Sequence, residues 1–502
     1  TPTALLPSDV SSSVSNVEFV DKDLDALELG GTVLWMAPLD VSQVTHYVVY
    51  LVTSSSGGGE WEFGSPVPVG TNRIGMVHDT ALGSYTHLVF HTKSSLAEQS
   101  TPTSLNLTDV ISSVSSVRFV DKDLDAGELG GMVTWGAPRD VSQVTHFVVY
   151  LATSSSGEGK WQSGSDASVG VSHVLMLADT ALLNFTHLVV YTKSSLVEQT
   201  TPTALSPTDV ASSVSSVGFV DKDLDAGELG GTVTWMAPEE VSQVTHYVVY
   251  LALSSSGMEK WQFGSDVVVR TNHIGMVHET ALGSYTHLVV YTKSALVEQT
   301  TPTALNLTDV MSSVSNVEFV DKDLDALELG GLVTWRAPWG NSTHVSHYVV
   351  YLATSSSGAE KWQVGRDVVV GLNQLSMAVD TAVSNFTHLV VYTKSSLAEQ
   401  STPTALLPSD VSSSVSNVEF VDKDLDALEL GGTALWTAPL DVSQVMHYVV
   451  YLVTSSSEEG EWQFGSDVPV GTNWIGMVHD TALGSYMYVA FYTKSSLAEQ
   501  ST

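Results

Sequence analysis

Cysteine is absent from all 502 residues, and basic side chains are scarce, with 19 Lys and Arg against 55 Asp and Glu. The lack of cysteine removes the usual signature of a secreted protein. It does not point to the cytosol, because units of about 100 residues fold without disulfides. The shortage of Lys and Arg, at a formal net charge of −36, argues against nucleic acid as a partner, since affinity for it comes mainly from neutralised phosphates. An anionic membrane surface is disfavoured on the same ground. No apolar run approaches the roughly 18–20 residues of a membrane span, so no membrane insertion is expected. The chain opens at Thr1 with neither Met nor a leader pattern, and it reads as a mature fragment of something longer. Hydrophobic residues make up 43% of it, enough to fill real cores. The acidity therefore suits a hydrated, self-repelling rod and divalent cations rather than disorder.

Self-similarity decides the organisation. The segment TPTALLPSDV at Thr1 returns as TPTSLNLTDV at Thr101, TPTALSPTDV at Thr201, TPTALNLTDV at Thr301 and TPTALLPSDV at Thr402. The spacing is 100 residues, stretched by one in the fourth copy, where WGNSTHVSHY stands. A unit of that length can close its own core, which predicts beads on a string rather than a solenoid. Within a unit, Gly31-Thr32-Val33-Leu34-Trp35, Tyr47-Val48-Val49-Tyr50-Leu51-Val52 and His87-Leu88-Val89-Phe90 are short and rich in β-branched and aromatic residues. Ser/Gly clusters such as Ser54-Ser55-Ser56-Gly57 punctuate them, and no stretch carries a 3.6-residue period. The expected fold class is all-β, a tandem array of five antiparallel β-sandwich domains.

Trp35-Met36-Ala37-Pro38 followed by Tyr47-Val48-Val49 resembles the B and C strands of fibronectin type III domains, with Trp135, Trp235, Trp335 and Trp436 at equivalent places. One departure is the corner tyrosine of that family's strand F: Leu88 stands at its spacing, and the nearby Tyr85 is Phe185 and Phe386 in other units. The wider immunoglobulin-like sandwich therefore stays open. The resemblance implies that Ser13–Lys22 is strand A and Thr101–Asp109 the last strand, G, of the first unit. Sandwiches then run 11–110, 111–210, 211–310, 311–411 and 412–502, the fifth lacking its own G strand, while 1–10 is an orphan G strand of a preceding unit. An unpaired strand invites another chain. The phase implies either a cut through a continuous polymer or donor-strand pairing of 1–10 with the fifth unit of another copy, head to tail.

The most chemical element is Asp21-Lys22-Asp23-Leu24-Asp25, followed by Gly30-Gly31 and recurring at Asp121/Asp123/Asp125, Asp221/Asp223/Asp225, Asp321/Asp323/Asp325 and Asp422/Asp424/Asp426. It fails the EF-hand pattern, because Ala26 stands at the sixth position and Thr32 at the twelfth. In a sandwich of this type the A–B loop, the E–F loop and the end of strand G share one pole. That would gather Asp21, Asp23, Asp25, Asp79 and Asp109, and likewise Asp179, Asp209 and Asp309, with Asp140 or Glu198 added from the following unit. The arrangement is similar to cadherin-like interdomain carboxylates, which implies Ca²⁺ at the joints as the one expected cofactor. The alternative is a solvated turn with a Gly-Gly bend into strand B.

Period-2 alternation on strands C and F would turn His46, Val48, Tyr50, His87 and Val89 outward onto one face. Such a face suits lateral packing against another copy, loosened by histidine protonation; its alternatives are tolerated exposure or, with too few ligands, zinc. Trp61, Trp161, Trp261, Trp362 and Trp462 read as edge packing, with sugar stacking as the alternative. Sequons occur at Asn106, Asn184, Asn306, Asn341 and Asn385, and glycans there fit an extracellular or cell-surface home. No enzyme is expected, because His78 has Ala178 and Val379 as its counterparts and no catalytic motif is present. The expected role is a structural subunit of an extracellular filament or appendage that associates with itself; the alternative is an adhesin or carbohydrate-binding stalk.

Overall fold

The computed structural model describes residues 3, 11–55, 60–340, 343–455 and 461–501. Most of the expected orphan strand at 1–10 lies outside them. Every described element is a β-strand, and the pattern repeats five times. In unit 1 the strands are β1 (Ser15–Asp21), β2 (Glu28–Met36), β3 (His46–Val52), β4 (Trp61–Glu62), β5 (Val67–Pro68), β6 (Arg73–Ala81), β7 (His87–Lys93) and β8 (Thr103–Asn106). One sheet has the order β1-β2-β6; the other runs β4-β3-β7-β8, with β5 also on β3. All pairs are antiparallel, as hairpin-linked short strands demand. The strand Thr103–Asn106 pairs with β7, so the chain crosses to the next unit only after it. In unit 5 the described counterpart of β7, Tyr488–Lys494, pairs only with the counterpart of β3.

Alternation on β2 explains the core. Val33 and Trp35 point inward while Thr32, Leu34 and Met36 face solvent. Trp35 meets Tyr47 edge-on at 5.4 Å and Phe90 at 5.6 Å, inside a cluster completed by Val49, Leu51, Met76 and Leu88. Facing side chains from both sheets thus interlock, as in aligned sandwiches.

Three local expectations are corrected. The Gly-Gly pair is no bend, because both residues lie inside β2. Gly31 has φ +151°, and a Cβ there would meet the Val20 carbonyl oxygen at 2.6 Å, so glycine lets β1 approach. Asp79 lies within β6, not in the following loop, at φ +62° beside a bulge in the β2–β6 pairing.

The third correction concerns the outer face of β3 and β7. Val48 and Val89 are buried, at 2% and 0% exposure, and His46, Tyr50 and His87 are half-buried. The unit covers this face itself, as units 2–4 make plain. Val189 packs with Ala152, Tyr191 and Tyr150 in a second small cluster. The turn after Ala152 folds over, with the Tyr191 hydroxyl donating to Ser156 O at 3.3 Å. Lys160, held by Glu198 at 2.6 Å, sits 3.9 Å over the Tyr191 ring. The alternation argument missed this second layer because it counted strands and not the turn that folds onto them.

Gly131→Ala, which places a Cβ 2.5 Å from Val120 O, should destabilise unit 2 by about 1–3 kcal/mol. Denaturant unfolding of the full chain should then show an early transition. Gly75→Ala, with open space around its Cβ, should stay within about 0.5 kcal/mol of the parent.

Candidate functional site: an acidic loop seated in the next unit

Between β1 and β2 the chain makes a compact loop whose carboxylates accept backbone N–H groups. Asp21 Oδ1 accepts from Asp23 N at 3.1 Å and Gly30 N at 2.9 Å, and its Oδ2 accepts from Val110 N at 3.0 Å. Asp23 Oδ1 accepts from Asp25 N at 3.0 Å, and its Oδ2 from Asp79 N at 2.7 Å. Asp109 Oδ2 accepts from Leu27 N at 2.9 Å. The alternate spacing of the aspartates thus folds the loop through side-chain-to-backbone bonds, while Asp21 and Asp109 tie it to the end of the unit. The left-handed conformation at Asp79 turns its N–H onto Asp23. Glu279 does the same for Asp223 at 2.7 Å, so this contact needs the backbone and not a particular side chain.

The tip of the loop leaves its own unit. Leu24, fully buried, belongs to the core cluster of unit 2 beside Val114, Trp135 and Val144. Its carbonyl accepts from Ser112 N at 3.2 Å. Asp25 reaches the β7–β8 turn of unit 2: Oδ2 accepts from Thr200 N at 2.6 Å, and Oδ1 accepts from Thr201 N at 3.0 Å and from the Thr201 hydroxyl. The same seat recurs. Leu124 enters unit 3, Leu224 unit 4 and Leu324 unit 5. Asp125 accepts from Thr300 N at 2.6 Å, Asp225 from Ser401 N at 2.5 Å and Asp325 from Ser501 N at 2.7 Å. Gly30 makes room for the answering contact, since a Cβ there would lie 2.9 Å from Leu196 Cδ2. Burying one leucine contributes about 1.5–3 kcal/mol, and charge-assisted bonds to Asp25 add direction.

These carboxylates also form clusters that could bind a metal ion. Asp123, Asp125, Glu128 and Asp179 each offer an oxygen, all within 4.8 Å of one another, as do Asp323, Asp325, Glu328 and Asp380, and Asp424, Asp426, Glu429 and Asp480. Smaller sets are Asp23, Glu28 and Asp79, and Asp223, Asp225 and Glu228. Asp21, Asp121, Asp221, Asp321 and Asp422 stand outside these sets, as do Asp109, Asp209 and Asp309. Buried carboxylate oxygens without a hydrogen-bond partner occur here in pairs in units 1–3, Glu28 Oε2 with Asp109 Oδ1, Glu128 Oε2 with Asp209 Oδ1 and Glu228 Oε2 with Asp309 Oδ1, and as Glu328 Oε2 in unit 4. Burial, then repulsion from Asp123, Asp125, Asp179 and Asp209, pushes the Glu128 carboxyl up. Burial likewise raises Asp21 to about 6, against the pull of the Val110, Gly30 and Asp23 N–H groups.

Sequence reasoning named the aspartates but missed Leu24 and the Glu28 position. The signal was an apolar residue recurring at the centre of the acidic run, where a solvated turn has no use for one. Asp140 and Glu198 do other work: Asp140 caps Ser142 N at 2.9 Å, and Glu198 accepts from Tyr150 at 2.9 Å and pairs with Lys160. Asn106, Asn184, Asn306 and Asn385 are exposed, and Asn341 lies outside the described residues. Trp61, 48% exposed, stacks on Tyr85 at 6.5 Å, and Trp161, Trp261, Trp362 and Trp462 are about as exposed.

No family model and no curated protein matches the chain. Among solved structures it is similar to the crystal structure of the chicken CNTN1 FN1–FN3 domains, at 13% identity, over 59% of this chain and 98% of that one, with a TM-score of 0.21. The five-fold repeat of antiparallel sheet pairs is the chain's own demonstration of a tandem β-sandwich array.

Leu124→Ala should lower the stability of unit 3, not only of its own unit, by about 2–5 kcal/mol. Leu425→Ala, at a side chain 98% exposed, should cost less than about 0.5 kcal/mol by the same denaturation assay. Asp121, raised by burial, takes up its proton in the native state at a higher pH than in the unfolded chain. Stability therefore rises as pH falls through the interval between the two values. In calcium-free buffer, the gain in denaturation midpoint as pH falls through that interval should shrink in Asp121→Asn; an unchanged gain would refute burial as the cause.

Proposed function

We propose that the chain is a structural, non-catalytic segment of an extracellular filament or cell-surface appendage, in which repeated sandwiches set length and resist bending. The observation that carries this reading is the seat of Leu24, Leu124, Leu224 and Leu324 in the core of the following unit. A flexible linker needs no such contact, and a hinge between units would have to withdraw a buried leucine and break the bonds to Asp25 and its counterparts. Strong negative charge keeps neighbouring rods apart and hydrated. The exposed sequons suit glycans and an extracellular home.

Calcium belongs to this proposal as a second brace at the same pole. The fit rests on the unpartnered buried oxygens of Glu128 and Asp209 and on four carboxylates converging without a counter-charge. Asp123, Asp125, Glu128 and Asp179 would hold the ion, with equivalent sets in other units, and a hard cation suits an all-oxygen donor set. Bound there, it would neutralise the repulsion and stiffen the joint.

Electron microscopy and small-angle scattering of the chain with calcium and after EDTA test both parts. Straight particles of uniform length in calcium that bend or shorten after EDTA are the expected result. Particles equally straight in EDTA would remove calcium and keep the rod. Flexible, wormlike particles in both conditions would remove the rod and favour a stalk whose work lies in a recognition domain.

A further inference from the structure

Units 1–4 each offer an Asn-x-Thr triplet at one pole, yet neighbouring units supply it from different stretches of chain. Units 1 and 3 carry Asn106-Leu107-Thr108 and Asn306-Leu307-Thr308 at the end of β8 and its counterpart. Units 2 and 4 carry Asn184-Phe185-Thr186 and Asn385-Phe386-Thr387 at the turn into the counterparts of β7. The two versions exclude one another. Ser84 and Ser284 stand at that turn in units 1 and 3, and in units 2 and 4 Ser206 and Leu407 follow the last strand, each with Pro after it, which bars the triplet. Duplication in pairs explains why unit 3 repeats unit 1 and unit 4 repeats unit 2. It does not explain why units 1 and 2, which differ at both places, each keep one triplet and not two or none.

The fold makes the two places one address. Leu107 N donates to Thr86 O at 2.9 Å, and Leu307 N to Thr286 O at 2.9 Å, so the triplet of the last strand lies against the turn that carries it in the other units. Both versions are presented alike. The central residue, Leu107, Phe185, Leu307 or Phe386, packs against the core of its own unit, while the Asn and the Thr on either side of it are exposed. The address adjoins the acidic loop. Leu182 N, just before the unit 2 triplet, donates to Gly127 O at 2.8 Å, and Asp109, just after the unit 1 triplet, accepts from Leu27 N at 2.9 Å. Apolar side chains stand bare at the same pole, with Leu27 65%, Leu183 80% and Leu327 69% exposed.

We propose that units 1–4 each bear one N-linked glycan at this shared address, and that these glycans cover the exposed leucines beside the joints. The donor class is an oligosaccharide held through diphosphate on a polyprenyl lipid. The Asn Nδ2 attacks the anomeric carbon of the donor's first sugar: a C–N bond forms, the C–O bond to the diphosphate breaks, and the amide gives up one proton as the lipid diphosphate leaves. The Asn and Thr side chains are exposed in the assembled array, so a glycan there leaves the seats of Leu24 and its counterparts closed. The inward Leu or Phe between them anchors the carrier, and a hydrated sugar chain fixed beside Leu27 or Leu183 shields apolar surface that the protein itself leaves open.

This inference rests on the extracellular part of the proposed function, and its test does not use particle stiffness. The full chain, secreted from eukaryotic cells, is digested, and its glycopeptides are identified by mass spectrometry before and after an amidase that releases the glycan and leaves Asp at each carrier. Carbohydrate at Asn106, Asn184, Asn306 and Asn385 is the expected result; its absence from either pair, Asn106 with Asn306 or Asn184 with Asn385, overturns the shared address. Asn184→Ser combined with Ser206→Asn and Pro207→Leu should move the unit 2 glycan from the turn to the strand end, and a unit left bare would show that the two places are not equivalent. Releasing the glycans from the folded chain should raise the binding of a hydrophobic dye about twofold, with the circular dichroism unchanged. The chain combining Asn106→Gln, Asn184→Gln, Asn306→Gln and Asn385→Gln should show the same rise without added charge, and dye binding unchanged in the released chain overturns the covering role. A stiff chain free of carbohydrate defeats this inference and keeps the rod; a flexible chain with all four glycans does the reverse.

Discussion

Carboxylates that accept backbone N–H groups organise the pole on which the rest of the array depends. Burying a carboxylate is costly unless hydrogen bonds compensate it. Here the oxygens of Asp21 and Asp23 each find one or two N–H groups from the loop, from β6 or from the segment that leaves the unit. The result is a rigid projection instead of a surface loop. Only a rigid projection can present Leu24 and Asp25 at a fixed distance from the sandwich below, and that fixed presentation is what lets the next unit close around them.

The joint changes how the units are to be described. Each sandwich has its own core, built on Trp35 and its counterparts, so the array is no solenoid with one shared interior. Yet the cores of units 2–5 each contain a leucine supplied by the unit before. Neighbours are coupled by a few strong contacts at one pole, and the identical hydrogen bonds at successive joints impose one repeating relation. Gly30 and Gly31 illustrate the economy of the arrangement. The first clears space for Leu196 of the neighbour and the second for the Val20 carbonyl of its own β1, so one dipeptide serves an intermolecular-style contact and an intramolecular one.

The acidic pole also stands close to an electrostatic limit. The N–H groups stabilise several carboxylates, but Glu128 Oε2 and Asp209 Oδ1 remain buried without partners, and burial with crowding raises the Glu128 carboxyl. Such a site gains from any change that adds positive charge or protons. This is the physical link between the packing of the joint and its sensitivity to cations and to pH.

The amino-acid sequence by itself determined the five-fold repeat, the all-β class, the inward Trp35, Tyr47, Val49, Leu88 and Phe90, and the clustering of aspartates, because repetition and period-2 alternation are local properties of the chain. It misplaced the outer face at Val48 and Val89, where a turn remote in sequence folds over the strands and alternation carries no information about it. It left a bend at Gly30-Gly31 open as an alternative, since the need for glycine came from the approach of Val20 and of a residue in the next unit. Only the tertiary structure decided that Leu24 leaves its own sandwich for the core of the following one. That choice depends on contacts with a part of the chain remote from the acidic run, and no pattern within that run states which core the leucine will join.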